Sequence, residues 1–391
     1  MQLSPRVQRF AGDASEAWKV QREANKRQAR GEDILILSIG DPDFATPAPI
    51  VEKAVESLHR GRTHYTPALG TDSLREAVAE HYGRLAGRPI GPEAIAITPG
   101  AQCALYAAAM TVLKPGDEVI VTDPIYVTYG DTIRASGAEL VRVPLRPEND
   151  FRLDPAELRA AVTPQTSALL LNYPNNPTGA SLLPEEVEMI CAIAIEHDLW
   201  VLSDEVYAGL TYDGEPVLLG AQASIAERCL AIQSLSKTHA MSGWRLGWIV
   251  MPEITRKPIE QILGCMLFGM PPFLQDAAAF ALQTELSEIA EMKEIYRHRR
   301  DVLCDGLAGV PGLEVYRPSA GMFVMLDCRG TGLGDDELAF KLLDATGIST
   351  VPCSAFGPSS AGHLRLSLCV PEEDLAKAAA RIAAFLTDLA A

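Results

Sequence analysis

Basic residues are scarce in this chain. Across 391 residues, 34 lysines and arginines face 51 aspartates and glutamates, a formal charge of −17. A nucleic-acid binder needs a basic stripe to neutralise phosphates, and this balance argues against one. The acidic surplus mildly favours cationic ligands, although one basic pocket can override the average. No apolar run approaches the ~18 residues of a membrane span. The opening MQLSPRVQRFAGDASEAW is mixed and charged, without the apolar centre of a signal peptide, so a cytoplasmic location is expected. Cys103, Cys191, Cys229, Cys265, Cys304, Cys328, Cys353 and Cys369 include no C-x-x-C pair. They read as buried, reduced thiols rather than a disulfide framework, and no metal site is expected. Also missing are G-x-x-x-x-G-K-[ST] and G-x-G-x-x-G, which speaks against a nicotinamide-dependent oxidoreductase. There is no internal repeat, low-complexity tract or obvious linker.

What is present is a globular composition, 48% apolar and 22% charged, in a chain too long for one ordinary domain. Short β-rich runs alternate with helical stretches. Strands are predicted at Ala94–Thr98, Glu118–Thr122, Leu140–Val143, Ala168–Asn172, Trp200–Ser203, Leu230–Gln233 and Arg245–Met251. Helices are predicted at Gln102–Leu113 and Pro184–His197, the second with Pro184, Glu185 and Glu186 in its first turn. This alternation predicts an α/β fold with a mostly parallel, doubly wound sheet. After about Leu286 the pattern changes to a charged helix, Ser287–Leu307, two strands and a last helix. The expected division is a large domain over 46–286, with a smaller α+β domain formed by 1–45 and 287–391.

Ligands of doubly wound sheets bind beyond the carboxyl ends of the strands, so those ends are the places to look for function. The first gives Gly100-Ala101-Gln102 entering a helix, whose free backbone N–H groups suit a phosphate. Tyr126 follows the second and could offer a flat face to an aromatic ring. Next comes Asn172-Tyr173-Pro174-Asn175-Asn176-Pro177-Thr178-Gly179, a restricted loop whose asparagines could bond a ligand oxygen. Asp204 ends an apolar run, where a carboxylate needs a partner: an N-cap bond or a buried cation. Lys237 lies just past another apolar strand, a poor setting for surface exposure. Desolvation and a cation such as Arg245 would lower its pKa, making it able to form an imine and to act as a base. Ser234, Ser236 and Arg245 add donors for a phosphate ester.

Seven motifs stand in order: SIGDPDF from Ser38, YTP from Tyr65, NNPTG from Asn175, SDEVY from Ser203, SLSK from Ser234, WRLG from Trp244 and RLS from Arg365. Together they resemble the class I aminotransferases, the fold-type I pyridoxal-phosphate enzymes, over nearly the whole chain. The resemblance implies pyridoxal 5′-phosphate as cofactor, with Lys237 as its imine lysine and Asp204 opposite the protonated ring nitrogen. It implies Asn176 and Tyr207 on the ring's phenolic oxygen, and Tyr126 stacked on the ring. Gly100, Ala101, Gln102, Ser234, Ser236 and Arg245 would hold the phosphate. Tyr65 would reach the phosphate from a neighbouring subunit, so a homodimer is expected. Arg365, near Gly40 and Asn176, would clamp the substrate α-carboxylate. Lys237, Asp204 and Tyr207 are thus the expected catalytic group.

For the substrate, GAQCALYA from Gly100, YVTY from Tyr126, LSKTHAM from Leu235, GMFVM from Gly321 and AFGPSSAGHLR from Ala355 are similar to bacterial arginine–pyruvate aminotransferases. The expected donor is L-arginine and the acceptor pyruvate. Asp13, Glu16 and Trp18 become candidates to meet a guanidinium by charge and stacking. The alternatives are an aspartate or aromatic aminotransferase, or a pyridoxal-phosphate C–S lyase. No second arginine for a side-chain carboxylate stands out in 266–273, which weakens the aspartate version. A regulator with a DNA-binding head is disfavoured, because only about thirty residues precede the first strand-like run.

Overall fold

The computed structural model describes residues 2–10 and 17–390. In chain order its strands are β1 (Leu35–Ile36), β2 (Ile95–Thr98), β3 (Glu118–Asp123), β4 (Glu139–Pro144), β5 (Thr166–Asn172), β6 (Trp200–Asp204), β7 (Cys229–Ser234) and β8 (Gly247–Val250). They continue with β9 (Glu314–Tyr316), β10 (Phe323–Asp327), β11 (Ile348–Ser349), β12 (Val351–Pro352) and β13 (His363–Ser367). Seven form one sheet in the order β2-β8-β7-β6-β5-β3-β4. Only β8 runs against the rest, pairing antiparallel with both β2 and β7. The predicted α/β architecture with a mostly parallel sheet is therefore what the chain forms.

Burial on both faces explains why these strands read as near-continuous apolar runs. Ile95 and Ile97 of β2 pack with the helices Ala48–His59, Asp72–Ala86 and Pro272–Gln283. Ala96, between them, joins the opposite face with the helices Ala101–Val112 and Glu253–Met266. The strand period of two thus feeds two separate cores.

The chain after residue 286 builds a second sheet, β12-β13-β10-β9, antiparallel throughout. The helix Ser287–Leu307 has the predicted limits and packs with the last helix, Glu372–Ala390. β1 pairs with β11, so the N-terminal segment is stitched to this C-terminal part.

Two expectations need correction. Arg245 does not open a strand. It adopts a left-handed backbone (φ +55°) after the short turn Ser242–Trp244, and β8 starts at Gly247. That turn brings its guanidinium to the carbonyls of Ser242 and Pro99. Nor are all the thiols buried: Cys265 is exposed, and Cys103 and Cys369 are intermediate. Among the described residues no helix is long and apolar enough to cross a membrane.

Candidate active site

The carboxyl ends of β5, β6 and β7 meet the second sheet around a cavity of about 330 Å³. Its walls include Gly40, Ala101, Gln102, Tyr126, Asn176, Asp204, Tyr207, Ser234, Ser236, Lys237, Arg245 and Arg365. Twelve sequence-predicted residues, spread from position 40 to 365, thus line one cavity.

One end of the cavity is built for an anion. Gly100 takes φ +79° at the start of the helix Ala101–Val112, a conformation that favours glycine. A Cβ there would also lie 2.4 Å from Arg245 Nη2. The first amides of this helix have no intrahelical acceptor, and they sit beside a guanidinium. Ser234 Oγ lies 2.7 Å from the Leu246 carbonyl and accepts the Ser236 N–H at 3.0 Å. The Gln102 side chain is engaged elsewhere: Nε2 donates to Thr132 and Oε1 accepts from Thr128. Its backbone N–H is what it offers here.

Asp204 ends β6 and is 4% exposed. Tyr129 Oη donates to its Oδ2 at 2.6 Å, and the Val206 N–H donates to Oδ1 at 3.2 Å. Burial, only partly offset by these bonds, pushes its pKa up to about 6. Among the described residues it forms no ion pair. A carboxylate so placed is a site for a cation that the chain does not supply.

Lys237 sits in the short helical turn Leu235–Thr238 after β7. Its Nζ donates to the Gly40 carbonyl at 2.6 Å. Burial lowers its pKa; Cys369 and Asp41 oppose the shift, and Arg365 and Arg245 add to it. The neutral amine needed of a base or nucleophile is therefore accessible nearer neutrality.

The loop after β5 holds itself rigid. Asn172 Nδ2 donates to the Asp204 carbonyl, and Asn172 Oδ1 accepts the Asn176 N–H. Asn176 Oδ1 accepts from Arg365 Nη1 at 2.8 Å, which leaves its Nδ2 to donate. Arg365, on β13, is 1% exposed, and its Nη2 donates to the Ser38 carbonyl at 2.9 Å. Tyr126 stands edge-on to Tyr129, with centroids 5.7 Å apart. Tyr207 is 6% exposed, and burial raises the pKa of its phenol, keeping the proton on.

Tyr65 is not brought to this cavity. It is 85% exposed and packs edge-on against Phe268. Trp18 lines the cavity, whereas Asp13 and Glu16 lie outside the described residues. Sequence reasoning gave no site role to Tyr129 or Phe323, and it offered Asn172 only as one of the loop's ligand-bonding asparagines, whereas Asn172 braces the loop. A tyrosine three residues after Tyr126, at the start of a helix, turns back beneath the strand ends. Its hydroxyl then needs a buried acceptor, and Asp204 provides one.

The family model for aminotransferases of class I and II matches residues 32–382. The arginine–pyruvate transaminase of Pseudomonas aeruginosa is 47% identical over 389 residues, covering 100% of this chain and 99% of its own. The aspartate/prephenate aminotransferase of Thermus thermophilus is 38% identical over 387 residues, 98% of each chain. Among solved structures, the aspartate aminotransferase from Thermus thermophilus with maleate superposes with a TM-score of 0.92 at 36% identity, covering 98% of this chain and 99% of that one.

Proposed function

The chain belongs to the class I and II aminotransferase family, and from that membership we propose that it transfers the amino group of L-arginine to pyruvate. It is a pyridoxal-phosphate-dependent aminotransferase, as its family is. The cavity suits that cofactor on its own terms. Asp204 is a buried carboxylate awaiting a cation, Gly100 leaves room for Arg245 at a helix start, and Lys237 brings an amine. When bound, the cofactor supplies a protonated ring that accepts the negative charge left as the substrate's α-proton departs.

In this reading Lys237 would hold the cofactor, and its Nζ, once free, would take up the proton from the substrate's α-carbon. Asp204, oriented by Tyr129, would keep the ring nitrogen protonated. Asn176 and Tyr207 would hydrogen-bond the ring's phenolic oxygen, and Tyr126 would cover the ring face. The amides of Gly100, Ala101 and Gln102, with Ser234, Ser236 and Arg245, would take the phosphate. Arg365 and Asn176 receive the substrate α-carboxylate beside Gly40. Lys237, Asp204 and Tyr207 form the catalytic group. Released products are a 2-oxo acid and, after the second half-reaction, alanine.

The observation that carries the transaminase reading is that Lys237 and Asp204 line one cavity and neither forms an ion pair among the described residues. For arginine it is the 47% identity to the arginine–pyruvate transaminase over the whole chain. Trp18 supports it as an aromatic wall able to stack on a guanidinium. The relatives named for aspartate favour that alternative less, at 38% identity or below. Within this chain the arginines lining the cavity are Arg245 and Arg365, both already assigned.

The same reading gives a cytoplasmic homodimer in which Tyr65 reaches the partner's phosphate. Val51, Val55 and Leu58 lie exposed on one face of the helix Ala48–His59, and the Tyr65–Phe268 pair is also exposed. Apolar surface of this kind is what a second copy would cover. The proposed division places 46–286 in a large cofactor-binding unit and 1–45 with 287–391 in a small one.

A donor screen with pyruvate and with 2-oxoglutarate tests the assignment. Arginine with pyruvate is expected to give alanine, and to exceed aspartate and tyrosine as donor by at least about tenfold in kcat/KM. Faster turnover of aspartate would move the protein to the alternative. Ammonia and pyruvate released from cystathionine would make it a C–S lyase. The Lys237→Ala variant is expected to lose the visible cofactor absorbance and nearly all turnover; retained turnover would remove the proposed chemistry.

A further inference from the structure

We propose that the charge of Arg365 is kept available to the substrate by aromatic faces rather than by a carboxylate, with Phe323 as the residue that positions it. The inference rests on the reading of Arg365 as the α-carboxylate clamp. A guanidinium that is 1% exposed ordinarily sits against an acid. Among the described residues Arg365 has none. It donates to Asn176 Oδ1 and to the Ser38 carbonyl, and its Nε has no partner. Around it are rings: Cζ stands 4.0 Å from the centroid of Phe323, 4.9 Å from Phe356 and 5.9 Å from Trp18. A ring face attracts a cation yet carries no net charge. An incoming carboxylate therefore meets the whole positive charge and displaces no anion.

Phe323 is the face best placed to fix the guanidinium. Met325 stands directly across from Arg365 in the β10–β13 pair, so Phe323, two residues away, lies on the same face of the sheet. Its ring is 3% exposed and is held on two further sides. A Cβ on Gly40 would fall 2.2 Å from Phe323 Cζ, so the ring tip abuts the bare backbone of Gly40. Tyr207 meets it edge-on at 6.1 Å. The same Gly40 carbonyl accepts from Lys237. One ring thus touches the proposed carboxylate clamp, Tyr207 and the segment that receives the lysine amine.

The test uses the holoenzyme. A tyrosine would drive its hydroxyl into Gly40, so the ring is altered away from that contact: 2,6-difluorophenylalanine at 323 keeps the Cζ and Cε hydrogens and weakens the negative face. Phe323→Leu removes the face while leaving an apolar side chain. KM for the amino donor and for the 2-oxo acid, which share the α-carboxylate, is expected to rise together. The rise is about threefold for the fluorinated ring and about tenfold for leucine, with kcat changed less than about twofold and the cofactor absorbance unchanged. Unaltered KM values for the difluoro variant overturn the proposal. So does a fall in kcat and cofactor absorbance at constant KM, the mark of a packing role. Arg365→Met is the control for the underlying reading. If it leaves both KM values unchanged, the clamp assignment fails and the proposal with it. If it raises both while the ring variants do not, only the role of Phe323 fails.

Discussion

Asp204 holds a carboxyl whose pKa is pushed up to about 6 from 3.8, and the sign of that shift makes a stability prediction. A folded-state pKa above the unfolded one means that the native protein binds the proton more tightly. The associated stability is present below about pH 4 and lost as pH rises through 6. Measured without cofactor by urea unfolding, the wild type should lose about 2 kcal/mol relative to Asp204→Asn between pH 4 and pH 7. A difference constant across that window would show an ordinary carboxyl. Gly40 gives a second prediction at this scale. A methyl there meets Phe323 Cζ at 2.2 Å and Cε1 at 2.6 Å, so Gly40→Ala must displace the ring beneath Arg365. KM for both substrates should rise by about an order of magnitude, with thermal unfolding little changed. These residues differ in how far the sequence exposed them. Lys237 and Asp204 end apolar runs, where a charge needs an explanation. Phe323 is one apolar residue in an apolar strand, and nothing local separates it from its neighbours.

The helix Ala101–Val112 contributes to the site through its first turn, whose amides have no carbonyl acceptor behind them. Gly100 sets that turn with φ +79° and a surface that Arg245 touches. Gly100→Ala combines left-handed strain with a clash against Arg245, and should weaken cofactor retention at least about tenfold, read by equilibrium dialysis of pyridoxal phosphate. Retention equal to wild type would detach this turn from the phosphate. Most elements were legible, because strand and helix periods survive in buried apolar runs. Predicted β3, β5, β6 and β7 lie within two residues of those observed, and Ser287–Leu307 has the predicted limits. Arg245 was not legible as a turn residue. It precedes an apolar strand in sequence, but the left-handed turn that aims it at Gly100 depends on β8 reversing direction between β2 and β7.

At the scale of the molecule, the cavity lies where two sheets meet, and an ion pair ties the N-terminal segment to the C-terminal part on one side of it. Arg299, in the helix after residue 286, donates to both carboxylate oxygens of Asp43, at 2.7 and 2.8 Å, and to the Leu368 carbonyl. Assembly is the prediction that belongs here. Val55→Glu places a charge in the exposed apolar stripe of the helix Ala48–His59. It should convert the proposed dimer to monomers in analytical ultracentrifugation and remove most activity, since Tyr65 would no longer reach a second site. An active monomer would disprove the shared site.

The sequence by itself determined the alternation of buried strands and amphipathic helices, and the identity of the polar residues at strand ends. Both follow from which side chains can leave water. Only the tertiary structure decided that Tyr129 answers Asp204, that Gln102 turns its side chain to Thr128 and Thr132, and that rings rather than an acid surround Arg365. The polar contacts join residues 26 to 75 positions apart, and Phe323 meets Arg365 from the neighbouring strand of the same sheet. No local period encodes such pairings; they arise when two cores close on the same cavity.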